Sequence, residues 1–300
     1  VTGNVSSKNT FFMLLVTGAT GHLGKLALQF LLTKLPASEL AVLVRDPAKA
    51  TDLQALGVEL RTGDYFDYAS LVPAFAGIDT LLLVSSGSLE DRVVQHTNAI
   101  NAARENQVQH VVYTSMVGAA EDMKFLTGSD HYHTENYLKQ SGLSYTILRN
   151  AFYHEALLGL LGEAASSGQW PYPGEGATLS PASRADLAEA LALVGLHPAA
   201  HKGQTYNLTG IQVYSFPELA AEVGEAAGRP VAYVPISLDD FRATLLAAGV
   251  PAPFVPLVVS VAEAQQAGQM SLVDDALPRL LGRAPQPLVA TLRPLLSGVA

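Results

Sequence analysis

Three glycines, Gly18, Gly21 and Gly24, stand between an apolar run, Met13 to Val16, and an apolar-rich segment, Leu23 to Leu35. A buried strand, a glycine turn and a helix in that order form the opening of a β-α-β unit that binds a diphosphate. Gly18 permits a tight turn at the strand end. Gly21 lets a pyrophosphate approach the backbone. Gly24 lets the helix pack close to the sheet. The helix then offers unbonded N–H groups and a partial positive charge to the phosphates. Two residues separate each pair of glycines, a looser spacing than the dinucleotide fingerprint.

A second group follows the next apolar run, Leu40 to Val44. It is Arg45-Asp46-Pro47-Ala48-Lys49. At this point an acidic residue holds the ribose hydroxyls of NAD, and an arginine accommodates the 2'-phosphate of NADP. Arg45 comes first after the strand, and Lys49 lies on the following short helix, so both can reach one phosphate. Asp46 pulls toward NAD. NADP(H) is the preferred expectation, with NAD(H) possible.

Further candidates fall where later strands end. Asp64 and Tyr65 follow Val58 to Arg61 and stand near an adenine position. Ser85 and Ser86 follow Thr80 to Val84 in a hydroxyl-rich loop, and Ser115 follows His110 to Tyr113. Phe152, Tyr153 and His154 follow Tyr145 to Leu148, an aromatic cluster suited either to a substrate pocket or to packing. His131, Tyr132 and Ser115 are placed to donate toward a substrate oxygen that gains charge. Phe66 and Trp170 are pocket-wall candidates by position and size. Planar apolar rings suit a flat, conjugated substrate.

Other chemistries lack their residues. Cysteine is absent, which removes disulfides, thiolate nucleophiles and Cys-ligated metals. The histidines form no His-Glu-x-x-His, and no metal site is expected. There is no Gly-x-Ser-x-Gly, and the glycine loop lacks the Gly-Lys-Ser/Thr of a P-loop. Nicotinamide redox chemistry remains, in which the protein supplies orientation and electrostatics.

The elements that must position these groups alternate strand and helix as far as residue 154. That rhythm predicts an α/β fold with a Rossmann-type, doubly wound parallel sheet. Residues 116–130 read as a long loop or lid. Beyond residue 155 the rhythm changes. Residues 168–174 are turn-rich, Pro251, Pro253 and Pro256 interrupt the chain, and short helices surround them. The expected organisation is an N-terminal extension over 1–12 and a nucleotide-binding domain over 13–154. Residues 155–300 form a smaller, mostly helical substrate-binding cap, some of whose segments return to the sheet.

The chain has 300 residues, nearly half of them hydrophobic, and a formal net charge of -9. That balance argues against a nucleic-acid surface. No apolar run reaches the eighteen residues of a membrane span. The first twelve residues lack the pattern of a signal peptide, so a soluble cytoplasmic protein, monomer or homodimer, is expected.

These segments together resemble the atypical short-chain dehydrogenase/reductases, in the NmrA-like family. The likeness is greatest to the branch of the type 2 NAD(P)H:quinone oxidoreductases and triphenylmethane reductases. It rests on Val16 to Gly24, Val44 to Ala50, Gly63-Asp64-Tyr65, Leu83 to Ser86, Tyr113-Thr114-Ser115 and His131-x-x-x-Glu135. It continues through Ser141 to Asn150, Ser183 to Asp186 and Tyr206-Asn207-Leu208. The resemblance implies that Gly18, Thr20, Gly21, His22 and Leu23 hold the pyrophosphate, and that Arg45 and Lys49 hold the 2'-phosphate. It implies that Ser85 and Ser86 line the ribose and nicotinamide, with Phe152, Tyr153 and His154 at the nicotinamide and substrate. His131 is then a cofactor contact as well.

The superfamily's usual Tyr-x-x-x-Lys pair is absent. Counting back from Glu135, His131 takes the lysine position and Thr127 the tyrosine position. Tyr132 has Asn136, not lysine, four residues on. The departure fits quinone reduction, whose product anion is stabilised by its own ring. The expected protein is an NADPH-dependent reductase of a quinone or similar planar acceptor, needing no flavin or metal. Reduction of triarylmethane or azo dyes is a second reading. An NADP(H)-sensing regulatory protein without turnover is a third.

Overall fold

The computed structural model describes residues 12–297. The expected N-terminal extension, apart from its last residue, lies outside that range. Seven parallel strands form one sheet. They are β1 (Leu14–Val16), β2 (Leu40–Val44), β3 (Glu59–Thr62), β4 (Thr80–Leu83), β5 (His110–Met116), β6 (Tyr145–Asn150) and a seventh strand, Thr205–Leu208. Their spatial order is β3-β2-β1-β4-β5-β6 and then the seventh. The order reverses between β1 and β4, and ligands of doubly wound sheets bind outside the strand C-termini at such a switch point.

The near-continuous apolar strands follow from burial on both faces. Successive side chains point to opposite sides. Leu14, Val16, Val42, Leu82 and Val112 join one core cluster, with Leu28 and Leu31 of α1 (His22–Leu32). Leu15, Leu43, Leu81, Leu83, Val111 and Tyr113 join the other, with Ile100 of the Arg92–Glu105 helix. The register carries this alternation across the sheet, with Val16 opposite both Val42 and Leu82, and Leu82 opposite Val112.

Residues beyond β6 build a third cluster around Trp170, Tyr172, Phe216 and Phe241. The segment expected to be turn-rich contains a strand, Gln169–Tyr172, paired in parallel with Ala232–Pro235. Trp170 and Tyr172 point inward from it, while Gln169 and Pro171 point out. The helix Leu288–Leu296 was not expected from the sequence. Two segments of this half return to the large sheet: the seventh strand, and the Arg184–Leu196 helix, which packs beside α1.

Of the expected loop or lid, residues 116–130, Met116 belongs to β5 and residues 128–130 to the helix Gly128–Gln140, and the segment between them is tied down. Lys124 N–H donates to Gln269 Oε1 at 2.8 Å, and Leu126 N–H donates to Ser260 Oγ at 3.3 Å. Gly118 has φ near +80°, and a Cβ there would lie 2.2 Å from the Gln269 carbonyl oxygen. Both the turn and the close approach therefore require glycine at that position.

Candidate functional site

The glycine turn is built by its own backbone. Gly18 adopts φ of +62°, and its carbonyl accepts the Gly21 N–H at 2.9 Å. A Cβ at Gly24 would fall 2.4 Å from the Gly18 oxygen. The space that Gly24 preserves is thus the turn beneath it. Helix α1 has no side-chain cap and no acidic residue in its first turn. Its first amides and the positive end of its dipole are available to an anion.

From this turn a groove of about 490 Å³ runs along the strand ends. Gly18, Thr20, Arg45, Asp64, Tyr65, Ser85 and Ser86 line it. Asp46 is turned away to cap the next short helix, its carboxylate accepting Ala48 N–H at 3.0 Å. Its other oxygen stands 3.9 Å from Lys49, whose side chain is 85% exposed and outside the groove. Of the three charged residues after β2, Arg45 alone lines the groove. The bare helix terminus and the Arg45 cation on one groove fit a nucleotide carrying an additional phosphate.

Ser85 belongs to both this groove and a second cavity of about 240 Å³. That cavity is mostly apolar, walled by Met116, Phe125, Phe152, Tyr153 and Met270, with Ser115, His131 and Asn150 as further polar members. Phe125 comes from the anchored loop and Met270 from the C-terminal half, and both are brought by packing to the strand ends at Met116 and Asn150.

A buried polar network stands behind the cavity. Arg92 can only donate, and its guanidinium lies 3.2 Å from His131 Nε2. The His131 proton therefore sits on Nδ1, directed at the Tyr113 hydroxyl 2.8 Å away. Burial, then Arg92 and His96, holds the His131 imidazole neutral, well below its ordinary value. His96 is held the same way. Ser86 N–H donates to its Nε2 at 2.9 Å, and its Nδ1 donates to Thr134 Oγ1 at 2.9 Å. The Thr134 hydroxyl is itself donated to the Asp130 carbonyl. Burial and Arg92 push His96 down to about 3. His96 thereby fixes the loop that carries Ser85 and Ser86.

Ser115 donates its hydroxyl to Glu135 at 2.6 Å. Burial opposes ionisation of Glu135, but the bidentate Arg149 guanidinium, Ser115 and Lys139 hold its carboxyl below the usual range. Glu135, placed in the sequence only as a counting mark, is the acceptor that occupies Ser115.

Several expected site residues lie elsewhere. Trp170 is fully buried, with its indole N–H donated to the Leu160 carbonyl at 2.9 Å; it packs the C-terminal core and lines neither cavity. His154 is buried between Thr291 and the Pro181 carbonyl, at 2.9 and 3.2 Å. Tyr132 packs edge-on to His133 and does not line the cavity. Phe66 is half-exposed on the groove beside Asp64 and Tyr65, away from the apolar cavity. The Leu23 side chain lies in the core and that of His22 faces a separate concavity with Lys25 and Arg184, so what these two residues offer the groove is their backbone amides in the first turn of α1. Asp64 accepts Phe66 N–H, and the Tyr65 hydroxyl donates to the Val84 carbonyl, so both shape the groove wall.

A glycine-turn groove at the switch point, opening into an apolar cavity, defines a Rossmann-type nucleotide-binding protein. The chain belongs to the NmrA-like family, whose sequence profile matches residues 12–275. Quinone oxidoreductase 2 of Escherichia coli (strain K12) is 38% identical over 239 residues, 80% of this chain and 83% of its own length. NAD(P)H azoreductase of Xenophilus azovorans is 32% identical over 273 residues, 90% of this chain and 93% of its own. Citrobacter sp. triphenylmethane reductase, solved as a complex with NADP(H), matches with a TM-score of 0.88 and 36% identity, covering 94% of this chain and 99% of that one.

Proposed function

We propose that this protein is an NADPH-dependent reductase that passes hydride to a quinone or a similar planar, conjugated acceptor. The observation that carries this reading is the junction at Ser85 between a dinucleotide-sized groove and an open apolar cavity. NADPH, when bound, supplies the hydride. Gly18, Thr20 and the first turn of α1 would hold its diphosphate, Arg45 the 2'-phosphate, and Ser85 and Ser86 the ribose and nicotinamide side. Phe152, Tyr153, Phe125 and Met116 would orient a flat acceptor and exclude water. The names of the relatives, a quinone oxidoreductase, an azoreductase and a triphenylmethane reductase, support the same reaction type. An open cavity beside the groove also favours turnover over a sensor, which needs no room for an acceptor.

The test is NADPH and NADH oxidation across benzoquinones, naphthoquinones, triarylmethane dyes and azo dyes, with cofactor binding measured in parallel. Turnover with NADPH on one class establishes the reductase and its acceptor. Tight NADPH binding without turnover on any acceptor overturns the reading and leaves the sensor. An NADH preference overturns the role given to Arg45.

A further inference from the structure

A quinone becomes a hydroquinone by gaining one hydride and one proton. The hydride comes from the reduced nicotinamide, which is left oxidised, and the proton comes from water. Between those gains the former carbonyl oxygen carries a negative charge, and donors aimed at it lower the barrier. The donors expected from sequence are already committed. Ser115 gives its only hydroxyl proton to Glu135 at 2.6 Å. His131 gives its Nδ1 proton to Tyr113 and receives Arg92 at Nε2.

Asn150 and Tyr153 remain on the cavity wall. Asn150 closes β6 in register with Met116 and Leu208, so its backbone is held from both sides. Asn150 is 6% exposed, and its Oδ1 is buried without a hydrogen-bond partner among the described residues, which leaves the Nδ2 amide, a donor, as the end of the side chain able to meet an acceptor's oxygen. Tyr153 lines the same cavity three residues further along the chain. Burial raises the Tyr153 pKa, so the hydroxyl keeps its proton. The Arg184 guanidinium lies over the Tyr153 ring, 4.7 Å from its centroid, which holds the ring in place and favours charge nearby.

We propose that the Asn150 Nδ2 amide and the Tyr153 hydroxyl together donate to the acceptor's oxygen and stabilise its negative charge. This rests on the reductase reading. It makes the site selective for the oxygen of a quinone. A triarylmethane cation takes hydride on carbon and loses its charge as it does so, and no oxyanion forms for the pair to stabilise.

The test compares Asn150→Leu, Tyr153→Phe and the double variant with the wild type, using menadione and a triarylmethane dye as acceptors. We expect kcat for menadione to fall roughly tenfold to a hundredfold in each single variant, with a much smaller loss for the dye and NADPH affinity retained. The second readout needs no turnover: 4-nitrophenol binding to the NADP+-saturated protein, followed by absorbance. The pair should lower the apparent pKa of the bound probe by about one unit relative to the double variant, a tenfold shift in ionisation. Equal losses on menadione and dye, or an unchanged probe pKa in the double variant, overturn the inference. So does a menadione-specific loss in Ser85→Ala with none in the pair. A wild type without turnover refutes the reductase reading alone, and the probe shift still decides the role of the pair.

Discussion

At the scale of single residues the site is governed by which protons are already in use. Arg45 lines the nucleotide groove, while Asp46 and Lys49 are turned toward each other at 3.9 Å. Arg45→Ala should therefore raise the Kd for NADPH roughly tenfold to a hundredfold, the worth of a charge-assisted bond to phosphate, and leave NADH nearly unaffected. Titration of the two cofactors by fluorescence checks this. Glu135 is the buried anchor for Arg149 and Ser115. Its hydrogen bonds hold its pKa below 4.5 despite burial. That stabilisation is complete above the unfolded value and is lost as pH falls through the folded one. Glu135→Ala should cost about 1.5–3 kcal/mol at neutral pH by denaturant unfolding. It should also release the Ser115 hydroxyl.

At the scale of elements the question is what positions those groups. Gly24→Ala would drive a Cβ to 2.4 Å from the Gly18 carbonyl. We expect about 1–3 kcal/mol of destabilisation and a larger loss of NADPH affinity than of stability, measured by calorimetry and thermal unfolding on one preparation. The strand–helix alternation through β6 was legible because its strands are short apolar runs covered on both faces. Less was legible afterwards. Gly168, Pro171, Pro173 and Gly174 disguise the Gln169–Tyr172 strand as a turn. Pro294 inside Leu288–Leu296 hides a helix whose apolar stripe is otherwise regular. The groove was readable from the glycines and Arg45, since backbone requirements leave a local signature. The cavity was not, because Phe125 and Met270 reach it through tertiary packing. Size and apolarity alone also do not separate a pocket wall such as Phe152 from a core residue such as Trp170.

At the scale of the whole molecule, buried histidines set the response to acid. His96, His110 and His154 are pushed down to about 3, 4 and 4, chiefly by burial, and His131 lies well below its ordinary value. Each stays neutral in the folded chain and takes a proton near pH 6.5 in the unfolded one. The unfolded state therefore binds more protons between the folded values and pH 6.5, and stability is lost as pH falls through that window. Thermal unfolding should show Tm dropping below pH 6.5, before the carboxylates titrate. His110→Asn, outside both cavities, should flatten the upper part of the drop.

Trp170 is the chain's single tryptophan, and it is sealed among Tyr172, Phe216 and the Leu160 carbonyl. The protein therefore carries its own optical probe, sited in the C-terminal core, whose emission wavelength reports on that core alone. Its emission should be blue-shifted and shielded from aqueous quenchers. It should redden only when that core opens, whatever the glycine turn is doing. Reduced nicotinamide absorbs in the band where tryptophan emits. A fall in Trp170 emission as NADPH is added, with no change in its wavelength, would thus report occupancy of the groove by energy transfer across an intact fold.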